Sequence, residues 1–165
     1  PDVPFSRGLA GLLLPPNQPD QPGEASVATV ANAHINAMAQ RQEDHLLGVG
    51  SFPHIRQNEI QDDFRVLLAR WDEWLPHIRN NLRRLVVVTT NMLLSGIMYE
   101  FKDLVLQFLV LAGNADPELN TYIRERPDYS SFLTSVRIHL NNAVSRGEST
   151  GPGAAAARIL MNRFQ

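Results

Sequence analysis

The sequence predicts an all-α protein, a bundle of four to six helices with an extended N-terminal arm and a hinged C-terminal helix. Over most of the chain, apolar residues recur at steps of three and four, as they do on one face of an α-helix. Glycine and proline stand mainly between these periodic segments, where helices begin and end. The apolar tract 78–111 is long, which is typical of helices covered by protein on several sides.

The first segment, residues 1–23, holds six of the eleven prolines of the chain. Because proline fixes φ and lacks an N–H donor, we predict an extended arm with no core of its own. Its apolar side chains would meet water unless they lie on a neighbouring subunit. They are therefore candidate subunit contacts: Phe5, Leu9, Leu12, Leu13 and Leu14. The alternative interpretation is a flexible leader.

Two helices are predicted in the next part of the chain. The first covers residues 24–47 and ends at the glycines that follow. The second begins at Asn58 as its N-cap and carries an apolar stripe that includes Trp71 and Trp74. Pro76 is expected to end or kink this helix, because proline removes a backbone hydrogen bond.

The apolar tract that follows contains one ambiguity. Its β-branched run Val86–Thr90 is compatible with a strand. We favour a helix, because apolar residues continue through Leu94 without a turn signal. A further helix is predicted over 97–111, ending at Gly113-Asn114. Three charges within one turn of it indicate that it does not span a membrane: Glu100, Lys102 and Asp103.

The C-terminal third predicts a short helix over 117–126, an amphipathic helix over 129–145, and a helical tail after a glycine-rich hinge. We therefore divide the chain into an arm (1–23), a helical bundle domain (24–146) and a hinge with its tail (147–165). Three apolar tail residues join the candidate subunit contacts: Ile159, Leu160 and Phe164.

Composition narrows the classes of function. Charged residues make up 19% of the chain, against about 25% in an average domain, so much of the surface is expected to meet protein. The net charge of −2 gives no global field for nucleic acid. Cysteine is absent, which excludes disulfides, thiolate metal sites and cysteine nucleophiles.

Motifs for catalysis or cofactor binding are also lacking. The five histidines form no His-x-x-x-His pair, and no serine stands in a Gly-x-Ser-x-Gly elbow. We therefore predict no catalytic residues, no metal ligands and no cofactor.

One cluster of basic residues stands out, because Arg79 and Arg83 are one helical turn apart, with Arg84 slightly off that line and Asn80 between them. Guanidinium and amide donors in such a ridge suit phosphate contacts that carry no base specificity. The alternative is a solvated face whose arginines pair with Asp72 or Glu73.

These observations lead to the hypothesis of a non-enzymatic, self-assembling structural protein of the viral coat or nucleocapsid kind. Both termini would contact other copies in a homo-oligomer. The arginine ridge would bind the phosphate backbone of a nucleic acid. If the protein is viral, this assembly would be the virion. The alternative is a helical adaptor or scaffold subunit of a hetero-complex that binds no nucleic acid.

Overall fold

The computed structural model describes residues 24–50, 52–96 and 101–165, and in these ranges the protein is all-helical with no β-strand. Eight α-helices are present in the described residues, where four to six were expected. They are α1 (Glu24–Leu47), α2 (Pro53–Ala69), α3 (Trp71–Ile78), α4 (Arg83–Leu94), α5 (Lys102–Ala115), α6 (Pro117–Arg124), α7 (Tyr129–Ser145) and α8 (Pro152–Phe164). A 3-10 turn, Arg79–Asn81, links α3 to α4. The predicted arm, 1–23, lies outside the described residues.

The second predicted helix begins earlier than expected and is divided in two. Pro53 occupies the first turn of α2, where its missing N–H has no helical partner to lose, so Asn58 lies inside the helix and is not its N-cap. The break falls at Arg70, not at Pro76. Pro76 stays within α3, whose geometry is fixed by three buried side chains: Trp71, Trp74 and Ile78.

The β-branched run of the apolar tract is helical, because Val86–Thr90 all belong to α4. Val86 and Val88 are buried, so packing outweighs the low helix propensity of β-branched residues. Thr90 supports the helix locally, since its hydroxyl donates to the carbonyl of Val86 at 2.9 Å.

The helix α5 runs to Ala115, two residues beyond the glycine that was expected to stop it. Gly113 is explained by close packing, because a Cβ there would overlap Asn120 Oδ1 and Arg163 Nη1. The Asn120 side chain instead donates to the Gly113 carbonyl at 3.1 Å. Here glycine permits the close approach of α6 and α8, at the usual cost in helix propensity.

The last helix, α8, packs against α5 and α7. Its Phe164 ring meets Phe132 of α7 edge-on, with ring centroids 5.5 Å apart, and the Tyr129 hydroxyl donates to the Phe164 carbonyl. α8 therefore shares the core of the other helices.

The centre of that core lies between α2 and α5. Phe108 of α5 contacts the rings of Phe64 and Trp71, at centroid distances of 5.7 and 6.1 Å. The predicted burial of both tryptophans is confirmed, since Trp71 and Trp74 are almost fully enclosed. Within the described ranges, no helix combines the length and the apolar character needed to cross a membrane.

Candidate nucleic-acid and subunit interface

The residues of the predicted arginine ridge lie against different elements. Arg84, in the first turn of α4, turns toward α1 and forms a salt bridge with Glu43 at 2.7 Å. Asn80 lies exposed in the 3-10 turn that separates Arg79 from α4. The expected single helical face is thus interrupted, because the chain changes from α-helix to 3-10 turn and back between 78 and 83.

Arg79 binds the C-terminal end of α5. Its Nη1 donates to the carbonyl of Ala115 at 2.9 Å. The last carbonyls of a helix lack intrahelical partners and carry a partial negative charge, so a guanidinium is well suited to this position. A guanidinium has five N–H donors, and within the described residues only Nη1 of Arg79 has a hydrogen-bond acceptor.

Arg83 lies over the ring of Tyr122 on α6, with the guanidinium carbon 5.1 Å from the ring centroid. The two residues line a cleft of about 500 Å³ between α4 and α6. Arg126 also contacts Tyr122, but Asp128 already neutralises it through bonds of 2.8 and 3.0 Å. Arg83 itself has no carboxylate within 4.0 Å in the described part of the chain.

Two further arginines, distant in sequence from the predicted ridge, approach the same region. Arg163 of α8 donates to Asn114 Oδ1 and to the Val110 carbonyl at the end of α5. Arg124 of α6 donates to the Arg163 carbonyl at 3.2 Å. Burial, and after it the nearby charge of Arg124, lower the pKa of Arg163.

We call Arg79, Arg83, Arg124 and Arg163 the arginine patch, because all four surround α6 and the end of α5 that precedes it. Three carboxylates share this surface: Asp116, Glu118 and Glu125. None of them, and no other described carboxylate, lies within 4.0 Å of a patch guanidinium. The arrangement is suited to holding phosphate oxygens without reading bases.

The predicted subunit contacts fall into three groups. Those of the arm (Phe5, Leu9, Leu12, Leu13 and Leu14) lie outside the described residues. In the tail, Leu160 and Phe164 are buried in the core of the same chain, because the apolar face of α8 covers α5 and α7. Ile159, on the opposite face of α8, is 44% exposed and is the tail residue available to a neighbour.

An apolar surface that the sequence analysis missed lies at the turn between α1 and α2. We call it the apolar tip; its side chains are Leu47, Val49, Phe52 and Ile55, exposed by 75, 49, 70 and 40% respectively. In the sequence, Leu47 ends the first predicted helix and the other three residues lie between the first two predicted helices, where no periodic pattern marks an apolar face. Large apolar side chains gathered at one exposed turn are typical of a protein–protein contact.

The described residues also contain a buried basic pair behind this tip. Arg56 donates through Nε to His45 Nδ1 at 3.1 Å, and both side chains are buried. Burial and the Arg56 charge lower the pKa of His45. Across the described part of the chain, no three His, Asp or Glu side chains come together in a way that could hold a metal ion.

Comparisons of the chain with protein-family models, curated proteins and solved structures found no match. The structural features that bear on function are therefore the arginine patch and the apolar tip.

Proposed function

We propose that this chain is a non-enzymatic structural subunit that assembles with copies of itself, as coat and nucleocapsid proteins do, and holds nucleic acid through phosphate contacts. The observation that carries the proposal is the arginine patch. Four guanidiniums surround α6 without a described carboxylate partner. Arg65 and Arg146 are paired, with Asp62 and Glu148, and Arg137 and Arg158 also lack a described carboxylate partner but lie apart from the patch, on α7 and α8. Unpaired guanidiniums are the usual ligands of a phosphate backbone.

The net charge of −2 is compatible with this proposal. In a polymeric assembly, a small basic surface is repeated in every copy, so the bound nucleic acid meets a continuous line of charge. The long-range field of a single subunit matters less than this repetition.

Self-assembly is supported by the apolar tip. Leu47 and Phe52 are the most exposed large apolar side chains of the described residues. A second copy of the chain is the occupant that we propose for this surface. The extended arm, 1–23, would be a further contact between copies. Ile159 would be the contact residue of the C-terminal helix.

The first experiment is size exclusion with light scattering on the natively purified chain, with absorbance followed at 260 and 280 nm. We expect an assembly larger than the 18.5 kDa monomer with excess absorbance at 260 nm. In the double variant Arg83→Gln with Arg124→Gln, the excess at 260 nm should be lost. Both residues are exposed, so these changes remove charge with little effect on packing.

The matched control is Arg65→Gln with Arg146→Gln, which changes the net charge equally but removes arginines that already have carboxylate partners. The control should retain the nucleic acid. Equal retention or equal loss in both variants would show that the arginine patch does not hold nucleic acid.

A second pair of variants tests assembly. Leu47→Ser with Phe52→Ser should reduce the assembly to smaller species, whereas Ile138→Ser with Val144→Ser changes exposed apolar residues elsewhere and should leave it intact. A wild-type chain that is a monomer free of nucleic acid would overturn the proposal as a whole.

A helical adaptor without nucleic acid is the second candidate, and a groove between α5 and α8 favours it. This groove, of about 260 Å³, is apolar apart from Gln107, and its other lining residues are Val110, Leu111, Pro152, Ala155, Ala156 and Ile159. Such a surface suits the apolar face of a helix from another protein. An adaptor would keep its partner in the Arg83→Gln, Arg124→Gln variant and lose it in Ile159→Asp.

A further inference from the structure

The chain contains fourteen arginines and a single lysine, Lys102. The two residues differ in chemistry, because a guanidinium stays charged in proteins, whereas a buried ammonium readily gives up its proton. Once neutral, the lysine amine is a nucleophile. The surroundings of Lys102 therefore decide whether this amine is an ordinary surface cation.

Lys102 begins α5 and is partly buried. Its Nζ donates to the carbonyl of Ser135 on α7 at 3.0 Å. The next residue of α5, Asp103, binds His139, which lies one turn beyond Ser135 on α7. These two contacts fasten the first turn of α5 to α7, so the lysine stem is held in a defined place.

Lys102 also lines a pocket of about 330 Å³ between the C-terminal end of α4 and α7. This volume is at the small end of the range for ligand sites, which suits a ligand of few atoms. The other lining residues are of two kinds, hydroxyl-bearing and apolar: Ser130, Ser131, Thr134 and Ser135, with Leu93, Leu94, Gly96 and Ile138.

The electrostatics favour the neutral amine. No carboxylate in the described part of the chain lies within 4.0 Å of the Lys102 ammonium, and none lines the pocket. Burial lowers the pKa of Lys102.

We propose that Lys102 is a reactive amine whose pocket captures small aldehydes with an apolar chain, as an imine. This site is separate from the arginine patch and the apolar tip, and it requires no assembly. The structure supplies the nucleophile, hydroxyl groups beside it, and an apolar wall formed by Leu93, Leu94 and Ile138.

The chemistry needs no further reactant. The lone pair of neutral Nζ forms a bond to the carbonyl carbon, and the π electrons move to oxygen. A proton then passes from the nitrogen, now positively charged, to this oxygen and gives a carbinolamine. Hydroxyl groups such as those of Ser131 and Ser135 can donate to this oxygen and relay the proton. Loss of water then gives the imine, so one amine and one aldehyde yield one imine and one water.

The test uses the full folded chain with butanal and cyanoborohydride, which reduces the imine to a stable butylamine. The rate of butylation is followed across pH by mass spectrometry of the peptide that carries Lys102, with Nα-acetyl-lysine amide in the same tube as reference. We expect the Lys102 rate to rise at lower pH than that of the reference and to be severalfold faster at neutral pH. A profile that coincides with the reference, or a slower reaction at every pH, would overturn the proposal.

Matched variants locate the effect in the pocket. Ile138→Asp places a carboxylate beside Lys102 and should slow butylation at neutral pH, because a nearby anion stabilises the ammonium. Ile159→Asp, at a similarly exposed residue on another surface, should leave the rate unchanged. Equal rates in the two variants would contradict the proposal.

Two further arms test the residue and the class of ligand. Lys102→Arg keeps the charge but should abolish the adduct on this peptide, with circular dichroism confirming the fold. Glyoxylate, a charged aldehyde, should react more slowly than butanal at equal concentration. Faster reaction with glyoxylate would exclude a preference for apolar aldehydes.

Discussion

Arg84 on α4 binds both carboxylate oxygens of Glu43 on α1, through Nε at 2.9 Å and Nη2 at 2.7 Å. The same Nη2 reaches Gln40 Oε1 at 3.1 Å. Hydrogen bonding to Arg84 lowers the pKa of Glu43, and the pKa of Arg84 is raised in return. The pair fastens α4 to α1, and it removes Arg84 from the surface that is available to phosphate.

This relationship gives a prediction for Glu43→Gln. Both side chains are more than a third exposed, so water screens their attraction. The free energy of unfolding should fall by about 0.5 kcal/mol at low salt and by less at high salt. Urea unfolding at two ionic strengths measures it, and a loss that does not depend on salt would contradict the ion-pair explanation.

Because of His45, we expect the stability of the fold to decrease at acid pH. Burial and the charge of Arg56 lower the pKa of His45 in the folded state, whereas its pKa in the unfolded chain is about 6.5. Below that pH the unfolded state binds more protons than the folded state, so stability falls as pH decreases through the interval between the two pKa values. The melting temperature should be compared at about pH 7.5 and about pH 5.5, on either side of the usual histidine pKa. Between these two values, that of the wild type should drop more than that of His45→Gln. Parallel curves would refute a role for His45.

Gly153 leaves room for a carboxylate. A Cβ at this position would overlap the Asp103 side chain, which is already bound to His139. We expect Gly153→Ala to destabilise the fold by about 1–3 kcal/mol through overpacking. Thermal unfolding measures this loss, with Ala155→Ser, at an exposed position on the same helix, as the control.

The cause can be isolated with a double-mutant cycle. Adding Asp103→Ala to Gly153→Ala removes the overlapping carboxylate, so the double variant should lose less stability than the sum of the single losses. Strict additivity would show that the alanine is unfavourable for another reason.

Gln42 is fully buried, and among the described residues its Nε2 has no hydrogen-bond partner, while its Oε1 accepts from the Thr89 hydroxyl at 3.1 Å. An unpaired buried donor costs free energy, whereas replacing both partners by apolar groups is nearly neutral or favourable. Thr89→Val alone should lower the free energy of unfolding by about 1–3 kcal/mol. The pair Gln42→Met with Thr89→Val should recover that loss, as chemical denaturation would show. A double variant less stable than Thr89→Val would contradict this account.

The helical class was predictable because apolar periodicity is a local signal. It placed α1 and α7 at the bounds that the structure shows. The errors lie where tertiary contacts override that signal. Gly113 was expected to end a helix but serves the approach of Asn120 and Arg163, and no local pattern reports that these residues meet.

The candidate site was predictable only in part, for the same reason. Arg79 and Arg83 are near neighbours in sequence and could be proposed together. Arg124 and Arg163 join them because α6 and α8 meet at the end of α5, which depends on the packing of the whole chain. Arg84 was separated from them by Glu43, 41 positions away.

The packing of α8 has a consequence for synthesis on the ribosome. Phe164 completes an aromatic cluster with Phe132 and Tyr129, and α5 borders α8 along one side. Since chains emerge N-terminus first at about 5–20 residues per second, α5 and α7 leave the exit tunnel with their apolar faces uncovered. The core around Phe132 can therefore close only after α8 has emerged, and during that interval these faces are open to chaperones.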